Sequence, residues 1–135
     1  MNIQPYLYFE GRCEEAINHY KQALGAEVVM MMRFKECPDP QPGTIPAGGE
    51  NKIMHATLKI GEATIMASDG NCNGKGVFQG MALSLVVKTE AEAEKYYKAL
   101  SEGGKVLMPL TKTFFSPKFG MTGDKFGVMW LVIVM

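Results

Sequence analysis

The chain writes one pattern twice, and that repetition constrains its fold more than any other feature. An apolar segment, IQPYLYF, leads into EEAINHYKQALGAEVVMMMRF, and later MALSLVVKT leads into EAEAEKYYKALSEGGKVLMPL. Setting Glu14 on Glu90 brings Tyr20 onto Tyr96, Ala23 onto Ala99 and Leu24 onto Leu100, after which a short insertion sets AEVV against GKVL. Each copy therefore reads strand, helix, strand. Ala16, Ile17, Tyr20 and Leu24 in the first copy, and Ala93, Tyr96, Tyr97 and Leu100 in the second, fall at spacings that make one apolar stripe on a helix. Thr89 before acidic residues is an N-cap, and Gly25 and Gly103 are helix stops.

The correspondence continues to the end of each half. Lys59-Ile60-Gly61 precedes EATIMAS, and Lys125-Phe126-Gly127 precedes VMWLVIV, so each glycine marks a tight turn into a last strand. The predicted strands lie near 2–9, 26–34, 52–60 and 62–68, then 80–88, 104–110, 111–117 and 127–134. This gives a βαβββ module over 1–69, a linker over 70–79 and a second βαβββ module over 80–135, together one compact domain. The stretch 35–51, rich in proline and glycine, reads as a long loop.

Two helices cannot cover both faces of eight strands. One face packs under the helices and the other curls around something, which makes an α+β architecture with a curved, mostly antiparallel sheet. The all-apolar run VMWLVIVM must then have its second face covered by a cleft between the halves or by another chain.

Fourteen basic and fourteen acidic residues cancel without blocks of like charge, so no nucleic-acid footprint or membrane-surface patch is expected. The N-terminus MNIQPYLYFEGR lacks the pattern of a secretory leader, and no apolar run approaches the roughly 20 residues that span a bilayer. A cytoplasmic location is expected. Cys13, Cys37 and Cys72 are odd in number and far apart, which argues for reduced thiols rather than a disulfide framework or a zinc knuckle. The eleven methionines suit core gaps or an adaptable pocket.

The repeated unit, the opening PYLYFEGRCEEAINHY, the central HATLKIGEATIMASD and the closing FGMTGDKFGVMW together resemble the PhnB-like branch of the vicinal-oxygen-chelate superfamily. That superfamily holds glyoxalase I, extradiol dioxygenases and the bleomycin- and fosfomycin-resistance proteins, and the branch is often labelled 3-demethylubiquinone 3-methyltransferase-like. The label fits poorly here, because no glycine-rich dinucleotide-type loop follows the first strand to hold S-adenosylmethionine. The resemblance implies paired modules around a cleft, usually in a homodimer, with a divalent metal in the enzymes held by side chains from the first and last strands of each module.

Aligned on the following helix, those positions fall at Pro5 and Met81, and on the last strands at Ile65 and Leu131. Allowing one residue either way adds no carboxylate, histidine or cysteine. Gln4 and Tyr6 offer only weak oxygen donors, so no metal and no other cofactor is expected.

What remains is His55, which alternates with the apolar Met54, Ala56 and Leu58 and so faces the cleft or solvent with Thr57. It is the candidate general base, the plain alternative being a hydrogen-bonded surface histidine. Tyr6, Phe115, Ser116, Phe119 and Trp130 are the candidate ligand-lining residues, although Phe114 and Phe115 within a strand are more often core. Asp124 reads as a cap on a tight bend, and Asp69 as a residue of the cleft rim. The expected protein is a metal-free homodimer binding a small, largely apolar or aromatic molecule. The alternatives are a metal-dependent lyase, isomerase or dioxygenase with unconventional ligands such as His55 and Asp69, and a drug-sequestering protein without turnover.

Overall fold

Both copies of the repeat fold as strand, helix and three further strands in the computed structural model, which describes residues 1–40, 43 and 45–135. Two compact units result, Met1–Val77 and Phe78–Met135. The first holds β1 (Tyr6–Tyr8), α1 (Cys13–Leu24), β2 (Glu27–Arg33), a 3₁₀ turn (Phe34–Glu36), β3 (Ile53–Ile60) and β4 (Ala63–Ser68). The second holds β5 (Leu83–Val87), α2 (Glu90–Ser101), β6 (Lys105–Thr111), β7 (Phe119–Gly123) and β8 (Met129–Val134). Of the loop expected over 35–51, Gln41, Pro42 and Thr44 lie outside the described residues.

Each unit carries its own four-stranded sheet, ordered β1-β4-β3-β2 and β5-β8-β7-β6. The first strand of each runs parallel to the last, and the other pairings are antiparallel. The helices form where the apolar stripes fall. Ala16, Ile17, Tyr20, Ala23 and Leu24 of α1 are buried, as are Ala93 and Leu100 of α2. Gly25 ends α1 in the left-handed conformation at φ 68°, and the Thr89 hydroxyl accepts the Glu92 N–H at 3.1 Å to start α2.

The strand expected at 111–117 is absent, and β7 lies further along, at Phe119–Gly123. Ser116 sits in the stretch that is not a strand. Its hydroxyl lies 2.8 Å from both the Val134 and the Lys118 carbonyl oxygens, while the Thr113 N–H donates to the Ser116 carbonyl at 2.9 Å, and these bonds close residues 113–118 into a turn. Phe114 and Phe115 are consequently exposed rather than core.

The glycines of FGMTG, which suggest a turn, serve close approach instead. A Cβ on Gly120 would lie 2.9 Å from the Tyr97 ring, so its absence lets α2 settle onto the sheet. The turn proper is shorter. Asp124 accepts the N–H groups of Phe126 and Val128 at 2.9 and 3.0 Å, and Gly127 takes φ 89°.

Gly104 tests this account of close approach. A Cβ there would stand 2.8 Å from the carbonyl carbon and 2.9 Å from the Cα of Asp124, and backbone atoms cannot swing aside. Gly104→Ala is expected to lower the unfolding free energy by about 2 kcal/mol or more in urea titrations. At Gly123 a Cβ meets only the Lys105 carbonyl oxygen at 3.8 Å, so Gly123→Ala is expected to change stability by less than about 1 kcal/mol.

Candidate functional site

Strand alternation sorts the first sheet into two faces. Leu7, Ala56, Leu58, Ile65 and Ala67 point to the buried side, while Tyr6, Met66, Thr57 and Met30 line up across β1, β4, β3 and β2 on the side without the helix. His55 sits two residues before Thr57, opposite Met32 in β2, and Tyr8 follows Tyr6.

These side chains form a hydrogen-bonded chain. The Tyr6 hydroxyl lies 2.8 Å from His55 Nδ1, and His55 Nε2 lies 3.1 Å from the Thr57 hydroxyl. The Tyr6 ring is 5.5 Å from the imidazole and stacks on Tyr8 at 5.0 Å. Burial raises the Tyr6 pKa above its ordinary value, helped by Tyr8 and Cys13 and opposed by the Ser68 hydroxyl, so the phenol keeps its proton through the neutral range. An imidazole held by a phenol and a hydroxyl can order a ligand's oxygen or pass a proton. His55 is held by two hydroxyls, whereas a strong general base would use a carboxylate as its orienter.

Asp69 is no rim residue. It is 1% exposed, and its carboxylate accepts the N–H groups of Gly11 at 2.9 Å and of Cys13 and Ile53 at 2.7 Å. It thereby occupies the N-terminus of α1, where a phosphate-bearing ligand would otherwise find donors. Its oxygens are turned to backbone and cannot join His55 in holding a cation.

Strand pairing bears on the metal positions implied by the resemblance. Strand pairing sets Tyr6 against Met66 in the first unit and Ser84 against Leu131 in the second, whereas Met81 precedes β5. A phenol, a thioether, a hydroxyl and an alkyl group are a poor donor set for a catalytic divalent ion. Among the described residues no three His, Cys, Asp or Glu side chains converge.

In the second unit, Phe115 packs edge-on against Phe119 at 5.1 Å and against Phe114 at 5.1 Å. Phe119 pairs with Ile133, on the opposite side of the sheet from Trp130. Two of the expected lining residues have partners within the unit. Ser116 is buried, with its hydroxyl spent on backbone carbonyls. Trp130 lies on the helix side, paired with Thr122, whose hydroxyl meets Ser101 of α2 at 2.7 Å, and its indole N–H donates to Asp124 at 2.9 Å. Tyr8 and Met66 are additions to the site. Tyr8 shares the two-residue period of Tyr6, but Met66 enters only through the parallel pairing of β1 with β4. A separate surface depression of about 550 Å³ between α2 and β6, lined by Tyr97, Lys98, Ser101, Glu102 and Val106, includes none of the expected residues.

Comparison with known proteins covers nearly the whole chain. Residues 1–133 match the family model described as 3-demethylubiquinone-9 3-methyltransferase. Protein YjdN of Escherichia coli (strain K12) is 34% identical over 141 residues, spanning 100% of this chain and 96% of that one. Among solved structures, protein PA1353 from Pseudomonas aeruginosa is 41% identical with a TM-score of 0.84, covering 99% of this chain and 97% of its own. The PhnB protein from Bacillus cereus is 31% identical with a TM-score of 0.80 over 100% of both chains. A glyoxylase/bleomycin resistance protein/dioxygenase domain from Frankia sp. EAN1pec shares the fold at 11% identity and a TM-score of 0.67, over 98% of this chain and 94% of that one.

Two expectations follow from the buried groups. Asp69→Ala leaves three backbone donors without their acceptor and is expected to cost about 3 kcal/mol or more in denaturant titration; a loss below about 1 kcal/mol would contradict its role. Cys13 is wholly buried, and burial first, then the charges of Asp69 and Glu14, push its thiol well above the ordinary value. A raised folded pKa means that stability is intact below the unfolded thiol value of about 9 and falls as pH rises beyond it. Cys13→Ala is expected to flatten that alkaline decline in melting temperature.

Proposed function

The chain belongs to the 3-demethylubiquinone-9 3-methyltransferase-like, PhnB-like branch of the vicinal-oxygen-chelate superfamily, and on that premise we propose that it binds a small, largely apolar or aromatic molecule without a metal ion. The observation that carries the reading is the Tyr6–His55–Thr57 chain set among Met30, Met32, Met66 and Tyr8. Polar atoms there are few and linked to one another, and apolar surface surrounds them. Affinity then comes from buried ligand area, about 25 cal/mol for each Å² of apolar surface, while the polar chain sets orientation. Phe115 and Phe119 offer a further aromatic surface in the second unit.

The methyltransferase activity in the family's description is not part of this proposal. The donors at the start of α1 are taken by Asp69, and the short connection from β1 to α1 offers no glycine-rich cradle for a nucleotide-like cofactor. Binding without turnover is favoured over catalysis by the neutral partners of His55. A homodimer and a cytoplasmic location complete the proposal. The edge strand β2 exposes Val28, Val29, Met30 and Met31, which suits pairing with a second copy, and three free cysteines suit a reducing compartment.

Metal analysis of protein purified without chelator tests the metal-free reading: substoichiometric zinc, nickel, manganese and iron are expected, and one equivalent of any of them that resists dialysis would overturn it. His55→Ala separates binding from catalysis. Ligand affinity is expected to change by less than about tenfold, the scale of one net hydrogen bond, with no turnover to lose.

A further inference from the structure

Resting on that binding reading, we propose that the ligand is an arylalkylamine, protonated at neutral pH, whose ring lies along Tyr6 and Met66 and whose ammonium sits between the Tyr8 ring and the Glu10 carboxylate. The place where β1 ends carries the inference. Gly70, at φ 56°, brings two side chains together: a Cβ there would collide with Glu10 Oε2 and stand 3.1 Å from Tyr8 Cδ1. Glycine leaves that space to the carboxylate.

Glu10 itself is held at φ 52°, a backbone conformation that residues with a side chain rarely adopt. The linker keeps it there. The Gly74 N–H donates to the Glu10 carbonyl oxygen at 2.6 Å, and the Asn73 N–H donates to Oε1 at 3.3 Å. That second bond is long and uses one carboxylate oxygen only. Among the described residues no donor reaches Oε2, which lies beside a tyrosine that is 52% exposed. An ammonium supplies what this corner lacks: its N–H groups fill the open lone pairs of Oε2. The Tyr8 ring, stacked with Tyr6 at 5.0 Å, offers its open face to the same charge.

The local charge has the right sign for such a guest. Asp69 lies buried behind the turn, bonded to the Gly11 N–H at 2.9 Å, while the Lys52 ammonium is held on the Gly11 carbonyl oxygen at 2.8 Å. Two carboxylates thus stand against one ammonium. Lys59, on the same face of β3, stands opposite Thr64, four residues along β4 from Ser68, the partner of Tyr8. At the rise of a strand that is about 13 Å away. The charged end of the guest therefore points to Tyr8 and its ring to Tyr6 and Met66, which pair in register. A thioether adapts to an aromatic edge and gains by contact with it.

Isothermal titration at pH 7.5 with 2-(2-naphthyl)ethylamine, 2-(2-naphthyl)ethanol and 2-naphthylacetate reads the charge of the guest on one ring. The amine is expected to bind wild type about tenfold more tightly than the alcohol, the scale of one exposed ion pair with one cation–π contact, and the acid most weakly. High ionic strength is expected to shrink the amine's advantage. Glu10→Gln keeps an acceptor for Asn73, and with its folding checked by a melting curve it is expected to bring the amine within about threefold of the alcohol while the alcohol's affinity stays unchanged. Equal binding of amine and alcohol, tightest binding of the acid, an advantage that salt does not reduce, or one that survives Glu10→Gln would overturn the ammonium site while leaving the binding reading standing. Failure of all three to bind would overturn both.

Discussion

A buried carboxylate ties backbone ends together in each unit. In the first unit Asp69, at the end of β4, gathers the N–H groups of Gly11 and Cys13 at the start of α1 and of Ile53 at the start of β3. In the second, Asp124 gathers Phe126, Val128 and the indole of Trp130 at the turn into β8. A charge removed from water is tolerable only when its lone pairs are filled, and here backbone and indole donors fill them. The two aspartates stand at different points of their modules, so the sequence repeat does not make them equivalent. Both fix strand ends, and strand ends set register.

Register then decides which side chains are available for chemistry. Because side chains alternate along a strand, a shift of one residue in β3 would turn His55 and Thr57 into the core and bring Ala56 and Leu58 to the open side. Asp69 bonded to the first residue of β3 opposes that slip, so the carboxylate that looks like a candidate ligand acts on the site through the backbone. In the second unit the same alternation sends Trp130 toward α2 and leaves Leu131 and Ile133 on the other face. The indole becomes a strut between sheet, turn and helix.

Much of this was legible in the sequence, and the failures share a cause. The two helices, the glycine that ends α1, the Thr89 cap and the turn at Gly127 all rest on signals within a few residues. The seventh strand was misplaced because glycine has two uses: Gly120 and Gly123 read as a turn, but Gly120 makes room for Tyr97. The face of Trp130 was hidden because every residue of β8 is apolar, which erases the alternation that told His55 from Ala56. Tyr6 and His55 were each legible as candidates. Their contact was not, since it joins residues 49 apart through the β1–β4 and β3–β4 pairings.

The donor set along these strands bears on the metal chemistry that the family resemblance implies. A divalent ion needs anionic or imidazole ligands that converge and keep open positions for substrate. Here the one imidazole on the open face is tied at both nitrogens to uncharged hydroxyls, and its cross-strand neighbour is a methionine. Freeing His55 for a cation would break both bonds and leave Tyr6 and Thr57 to find other partners. The arrangement therefore ties the imidazole into a hydrogen-bond chain that a cation would have to replace.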